Sequence, residues 1–233
     1  MKLSKLLDEC KNYGDTEIKN IVFDTARVEK GSLFFCLKGV KNDGHDYAAQ
    51  AYEKGAAAVV AQRRVEADVP QIICEDTRHA LSVAAKRYYG SAADRLKIFA
   101  VTGTNGKTTT TYMLKAIFES NGFNTGLIGT NAVEYGGTVY PATLTTPDPT
   151  ELHEIFARME KAGVTHVVME ASAHALALKK LDGIRFKAVG FTNLSRDHLD
   201  FFGDMENYKR AKLLLFKKER SDFACANAED ACS

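Results

Sequence analysis

Val101-Thr102-Gly103-Thr104-Asn105-Gly106-Lys107-Thr108-Thr109 is the stretch that decides how this chain folds. Immediately before its turn, Ile98-Phe99-Ala100-Val101-Thr102 forms a short apolar run, the pattern of a strand covered on both faces. Immediately after it, Thr108–Ser120 reads as a helix that stops at Asn121-Gly122. Glycines in such a turn let backbone amides approach phosphate oxygens. The helix N-terminus adds partial positive charge. Lys107 is placed to neutralise β- and γ-phosphates, and the Thr108 hydroxyl to hold a magnesium ion. Gly103, Thr104, Asn105, Gly106, Lys107, Thr108 and Thr109 are therefore the candidate nucleotide-phosphate-binding residues. The match to G-x-x-x-x-G-K-[ST] is incomplete, because Val101 occupies the first glycine position. A glycine-rich turn with a surface lysine is the plain alternative. The strand–turn–helix setting argues against it.

Working outward, Thr125–Gly129, Val164–Met169, Ala188–Thr192 and Phe223–Ala226 read as strands. Pro149–Ala162 and Tyr208–Lys218 read as helices, the first with proline at its start and Gly163 beyond its end. Strands alternating with helices predict a parallel sheet. Before the loop, the apolar runs Ile21–Phe23, Leu33–Leu37, Ala56–Ala61 and Ile72–Cys74 alternate with helix-like Tyr47–Lys54 and Thr77–Tyr89. Gly90–Asp94 reads as a linker. The expected class is α/β: a small N-terminal domain over residues 1–95, then a P-loop-type parallel-sheet domain over 96–233. The chain stops seven residues after Ala226 with no helix to cover that strand, so the second domain is expected to be incomplete.

Composition narrows the class further. Of 233 residues, 31 are Lys or Arg and 30 Asp or Glu, a net charge of +1 that gives no support to a nucleic-acid binder. No apolar run approaches the ~18 residues of a membrane span, and Met1–Gly14 does not resemble a secretory signal. Cys10, Cys36, Cys74, Cys225 and Cys232 are odd in number and form no CxxC pair. Reduced thiols in a cytoplasmic protein are expected.

Further candidate chemistry lies after the later strands. Thr165–Glu170 reads as a strand ending in a carboxylate, followed by Ala171-Ser172-Ala173-His174. Ligands of open parallel sheets bind at the carboxyl ends of strands. By position, Glu170 is equally a magnesium ligand or an exposed carboxylate beside a helix start. In Asn193-Leu194-Ser195-Arg196-Asp197-His198-Leu199-Asp200, His198 could bind a metal as neutral imidazole, with Asp197 orienting it. Tyr208–Phe216 is a basic amphipathic helix containing Lys212.

Thr102–Thr109 resembles the ATP loop of the Mur ligase family, which is related to folylpolyglutamate synthetases. That resemblance assigns Gly103 through Thr109 to ATP. The Glu170-Ala171-Ser172-Ala173-His174 segment and Asn193–Asp200 are similar to further signatures of that family. The resemblance implies that Glu170 and Thr108 bind one magnesium ion. It places His198 at a second, with Lys212 there carrying a carbamate. Lys107, His198 and Lys212 are the catalytic candidates it implies.

Thr143–Asp148 resembles the loop that holds the muramoyl-dipeptide in the branch adding the third stem-peptide residue. That assigns Thr145, Thr146 and Ser172 to the substrate, with Lys180 where a substrate-contacting arginine is common. Phe23–Phe35 and Leu37–Tyr47 resemble the uridine diphosphate pocket, which assigns Phe23, Thr25, Val40, Lys41 and Asn42. Ala26 departs from a usual arginine, unless Arg27 replaces it. Lysine at position 180 keeps charge but loses the bidentate fork.

The implied activity is ATP-dependent amide ligation. A diamino acid, lysine or meso-diaminopimelate, joins UDP-MurNAc-L-Ala-D-Glu through an acyl phosphate in peptidoglycan synthesis. The family's C-terminal domain is expected to be absent, and the fragment alone inactive. The expected partners are those small molecules, with ATP and Mg2+, and the expected state is a cytoplasmic monomer. The alternatives are another ligase of the family, a non-catalytic UDP-sugar or ATP-binding fragment, and a P-loop kinase or GTPase. The last is weakened by the lack of an Asn-Lys-x-Asp motif.

Overall fold

Alternating side chains of the early apolar runs explain why they build a sheet covered on both faces. The computed structural model describes residues 1–10, 13 and 16–230, so Cys232 lies outside the described residues. Strands β1 (Asn20–Val22), β2 (Ser32–Phe35), β3 (Ala58–Ala61) and β4 (Gln71–Ile73) pair in parallel in the order β1-β2-β3-β4. Leu33, Phe35, Ala58 and Val60 turn toward Leu3, Leu6, Ile18 and Leu81. Phe34, Val59 and Ala61 turn the other way, toward Val22, Ala48 and Ala51. Helices α1 (Ala48–Glu53) and α2 (Thr77–Tyr88) supply part of these two layers. α2 starts where the Asp76 side chain accepts the Arg78 and His79 amides.

The chain divides into two compact units, Met1–Gly90 and Ser91–Ser233. Gly90–Asp94 is not a solvated linker. Ala92–Asp94 form a 3-10 turn, and Ala92 and Ala93 are buried in the second unit's core with Phe156 and Val164. That core places the divide ahead of residue 95.

The second unit holds strands β5 (Lys97–Thr102), β6 (Thr125–Ile128), β7 (Ala132–Tyr135), β8 (Thr138–Pro141), β9 (His166–Glu170), β10 (Phe186–Phe191) and β11 (Ser221–Ala226). Their order is β11-β10-β5-β9-β6-β7-β8. The helices are α3 (Lys107–Ser120), α4 (Pro149–Lys161), α5 (Ala173–Ala177), α6 (Leu199–Phe202) and α7 (Met205–Leu213). β11, β10, β5, β9 and β6 run parallel, as expected. The sheet is nevertheless mixed, because β7 and β8 add an antiparallel hairpin at the β6 edge. Its turn is Gly136-Gly137, both at positive φ (59° and 76°), a two-residue hairpin signal present in the sequence. Helix α7 starts earlier than expected because Asp204 caps the Asn207 amide. It also ends earlier, passing into a 3-10 turn over Leu214–Phe216.

This topology creates the site. From β5 the chain builds β6 and β9 on one side, then places β10 on the other. The carboxyl end of β5 is thus a switch point, where a crevice opens between diverging connections. No helix among the described residues is long and apolar enough to cross a membrane.

Candidate active site

The phosphate loop leaves β5 at Thr102 and enters α3 at Lys107. Gly103 has φ +147° and lies so close to β10 that a Cβ there would meet Thr192 Oγ1 at 1.9 Å. The amides of Thr104 and Asn105 are already spent: they donate to Asn193 O (2.8 Å) and Asn193 Oδ1 (3.0 Å). The donors facing the crevice are therefore those of the first turn of α3, which have no acceptor within the helix. Of the seven loop residues, Gly106 through Thr109 keep backbone amides without an acceptor in the helix, while the Thr104 and Asn105 amides are engaged by Asn193. Lys107 Nζ folds back to donate to Gly103 O (3.0 Å) and Thr104 O (2.9 Å). Burial lowers its pKa, and Glu170 and Asp197 oppose that shift.

Lys212 reaches the same carbonyl from α7. It is 1% exposed, donates to Gly103 O at 2.7 Å, and lies 4.4 Å from the Tyr208 ring centroid. Burial first, then Lys107, draws its pKa down to about 7, with Asp197 opposing. A buried lysine of this kind has a substantial neutral fraction near neutral pH, and a neutral amine is nucleophilic.

Glu170 is 1% exposed at the end of β9. Its Oε1 accepts the Thr108 hydroxyl and the Thr130 amide, each at 2.9 Å, and its Oε2 accepts the Thr130 hydroxyl at 3.1 Å. Thr130 thus donates its only hydroxyl proton to Glu170, so across 3.0 Å it accepts from Thr145 Oγ1. Thr145 is left with lone pairs for a ligand's N–H or O–H. Thr146 differs. It is 2% exposed and spends its hydroxyl inside the protein, donating to Glu170 O (2.9 Å) and accepting the Ser172 amide (3.0 Å). Its side chain braces the loop. Ser172 Oγ accepts the Ala175 amide at the start of α5. Lys180 pairs with Asp148 at 2.7 Å, at the opposite end of this loop from Thr145.

His198 sits at φ +52°, with its ring 4.7 Å from that of His174 and Nε2 3.4 Å from Asp197. Burial, then His198, lowers the pKa of His174. Among the described residues no group of three or more His, Cys, Asp or Glu stands at metal-binding spacing. Any ion here must draw on hydroxyls, phosphate or water as well.

In the first unit, Phe23 and Thr25 follow β1, and Val40, Lys41 and Asn42 follow the neighbouring β2. The second group is exposed, Val40 at 90%. Ala26 and Arg27 are both exposed in the 3-10 turn after Asp24. The Val40–Asn42 loop closes through Gly39 N–H to Asn42 O (2.8 Å). Asp43 anchors its far end, accepting from the His45 amide (3.0 Å), from His45 Nδ1 and from Arg63 Nη1 (3.2 Å). Because His45 Nε2 accepts the Gln62 amide at 2.9 Å, the ring proton is on Nδ1.

The His45 backbone hydrogen bond, aided by its ring and Arg63, holds Asp43 down to about 2. A carboxylate lowered on folding stabilises the fold above its unfolded value, and that stabilisation is lost as pH falls from about 4 toward 2. The expected size is about 1 kcal/mol. Melting curves between pH 4 and pH 2 should be less steep in pH for Asp43→Asn than for the unaltered chain.

Residues overlooked in the sequence are Thr130, Thr192, Asn193 and Tyr208. Thr192 and Asn193 stand directly after a buried strand, where the carboxyl-end rule points. Thr130 likewise follows the strand expected over Thr125–Gly129, whereas Tyr208 had no comparable signal.

A strand–Gly-Lys-Thr–helix loop facing a buried carboxylate at a switch point is the arrangement of a P-loop-type α/β fold. Residues 101–233 match the Mur ligase middle domain, and residues 17–89 match the Mur ligase family catalytic domain. The chain is 44% identical, over all of its length and 50% of the relative's, to UDP-N-acetylmuramoyl-L-alanyl-D-glutamate--2,6-diaminopimelate ligase of Bacillus licheniformis. It is 45% identical to the protein of that name from Clostridium perfringens, over 94% of this chain and 46% of that one. A solved structure of such a ligase superposes with a TM-score of 0.81 at 31% identity, covering 92% of this chain and 44% of the other. MurF ligase from Thermotoga maritima, in complex with ADP, shares the fold at 23% identity and a TM-score of 0.57, over 92% of this chain and 46% of that one. The chain belongs to the Mur ligase family. It spans about half the length of the curated relatives it matches.

Proposed function

We propose that this chain supplies the UDP-sugar-binding and ATP-binding parts of a ligase that adds a diamino acid to UDP-MurNAc-L-Ala-D-Glu. The observation that carries the reading is Thr108, in the phosphate loop, hydrogen-bonded to Glu170 at 2.9 Å, with Thr130 joining Glu170 to Thr145 of the Thr-Thr-Pro loop. Nucleotide-site and substrate-loop candidates thus share one carboxylate. Relatives named for 2,6-diaminopimelate favour that amino acid over lysine.

In this reading the γ-phosphoryl group of ATP passes to the D-Glu γ-carboxylate, ADP leaves, and the incoming amine displaces phosphate. The α3 amides and Lys107 hold the phosphates and offset charge on the transferred group. Lys107 turns from Gly103 O and Thr104 O to do so. Thr145 accepts a hydrogen bond from the muramoyl-peptide, Ser172 and Lys180 line its path, and Phe23, Thr25 and Val40–Asn42 hold the uridine diphosphate.

The donor set also suits magnesium. Thr108 gives its proton to Glu170, so its oxygen lone pairs face outward as hard donors beside a carboxylate. Thr108 and Glu170 would hold one ion, with His198 and a Lys212 carbamate at a second. Bound magnesium would spread the phosphate charge. Burial that draws Lys212 to about 7 favours the neutral amine that carbon dioxide requires. The protein acts as a cytoplasmic monomer.

Calorimetric titration of the chain with UDP-MurNAc-L-Ala-D-Glu, UDP-MurNAc-L-Ala and UDP tests the substrate. Tighter binding of the dipeptide form is expected. Equal binding of all three, or none by a folded chain, would overturn it.

A further inference from the structure

We propose that Asn193 is a positioning residue that holds the phosphate loop in its anion-receiving shape. The proposal rests on the reading of residues 103–109 as a nucleotide phosphate site. β10 pairs with β5 up to Phe191 opposite Thr102, so the segments leaving both strands run side by side. Beyond that point the ladder is continued by a side chain. Asn193 Oδ1 accepts the Asn105 amide at 3.0 Å, and Asn193 Nδ2 donates to Asn105 O at 3.1 Å. Thr192 Oγ1 donates to the same carbonyl at 2.6 Å, and the Asn193 carbonyl takes the Thr104 amide at 2.8 Å.

The carboxamide serves both poles of Asn105, its oxygen accepting the amide while its nitrogen donates to the carbonyl. The clamp is held from behind. Thr192 O accepts Asn227 Nδ2 at 3.1 Å, and the Leu194 amide donates to Asp230 Oδ2 at 2.9 Å. The segment after β11 thus supports the segment that shapes the loop.

The consequence for binding is selective. With the Thr104 and Asn105 amides withdrawn, a phosphate meets only the donors at the α3 N-terminus and Lys107. Asn105 itself is exposed, so the clamp orders a surface loop before any ligand arrives. Preorganisation of this kind lowers the ordering cost of binding.

Amide hydrogen exchange by NMR, on the full chain without ligand, tests the clamp. Titration with Mg·ADP tests its purpose. The Asn105 amide should be protected in the unaltered chain. In Asn193→Ala it should exchange about five- to tenfold faster, the worth of one net hydrogen bond, with Val101 in β5 unchanged. The Kd for Mg·ADP should rise about tenfold. Asn193→Asp keeps size and acceptor but sets a carboxylate oxygen against Asn105 O, and should weaken Mg·ADP at least as much.

An unprotected Asn105 amide in the unaltered chain would overturn the proposal outright. So would unchanged protection in Asn193→Ala. Faster exchange with an unchanged Kd would reduce Asn193 to a structural contact and overturn its positioning role. Should Asn193→Ala fail to fold, Asn193→Ser, which stays polar but is too short to bridge both poles of Asn105, carries the same comparison. Protection in a chain that does not bind Mg·ADP would leave the clamp standing and sink the nucleotide reading instead.

Discussion

Alanine at Gly103 is expected to abolish Mg·ADP binding and to lower the melting temperature by several degrees. Its Cβ would stand 1.9 Å from Thr192 Oγ1 and 3.1 Å from the Asn193 amide nitrogen, at a φ of +147° that side chains rarely adopt. Neither neighbour can retreat freely. Thr192 Oγ1 is engaged with Asn105 O, and Asn193 N is backbone. The strain is of order 1–3 kcal/mol. At this chain length that corresponds to roughly 3–10 °C. The loop would relieve it by moving away from β10, which releases the Asn193 contacts and disperses the donors. Gly122 is the internal comparison. It has φ +82°, yet a Cβ there meets nothing within 4 Å. Gly122→Ala should cost a small strain and leave nucleotide affinity intact. Differential scanning fluorimetry and Mg·ADP titration on both variants check the pair. A Gly103→Ala chain that binds normally would mean the loop does not sit against β10.

Lys107→Ala is expected to behave in the opposite way, losing affinity without losing the fold. Lys107 is a partly buried cation whose folded-state contacts are two carbonyls of its own loop. Burial already disfavours its charge. It also faces Lys212 across Gly103 O, so its removal relieves a second buried amine. The melting temperature should therefore hold or rise slightly. A charge-assisted hydrogen bond contributes about 1.5–3 kcal/mol. Loss of the one cation in the loop should weaken Mg·ADP by about 100-fold. Calorimetric titration at constant ionic strength measures it. An unchanged Kd would show that Lys107 stays folded on Gly103 O and Thr104 O when nucleotide binds.

Particular residues show how far the sequence reaches. The phosphate loop was legible because strand, glycines, lysine and helix are consecutive, and short-range sterics and the helix dipole act over a few residues. Position after a buried strand left Glu170 equally a metal ligand or an exposed carboxylate, and the structure buries it at the end of β9. The hairpin β7–β8 was missed, although Gly136-Gly137 is a local signal, because alternating helix and strand set the expectation of a parallel sheet. The extent of α7 depended on one cap, Asp204, that the apolar pattern does not weigh.

The sequence by itself determined the α/β alternation, the loop chemistry and the family signatures. Tertiary structure alone decided which polar groups remain available. Thr145 and Thr146 are adjacent and chemically alike, yet one faces outward and the other is consumed between Glu170 O and the Ser172 amide. Lys212 lies 109 residues from Gly103 and becomes its hydrogen-bond partner only when α7 packs against α5 and α6. Thr104 and Asn105 look like phosphate ligands until Asn193 is brought against them. The physical reason is the same in each case. Residue type sets what a group can donate or accept, but burial and long-range partners decide whether that capacity is already spent.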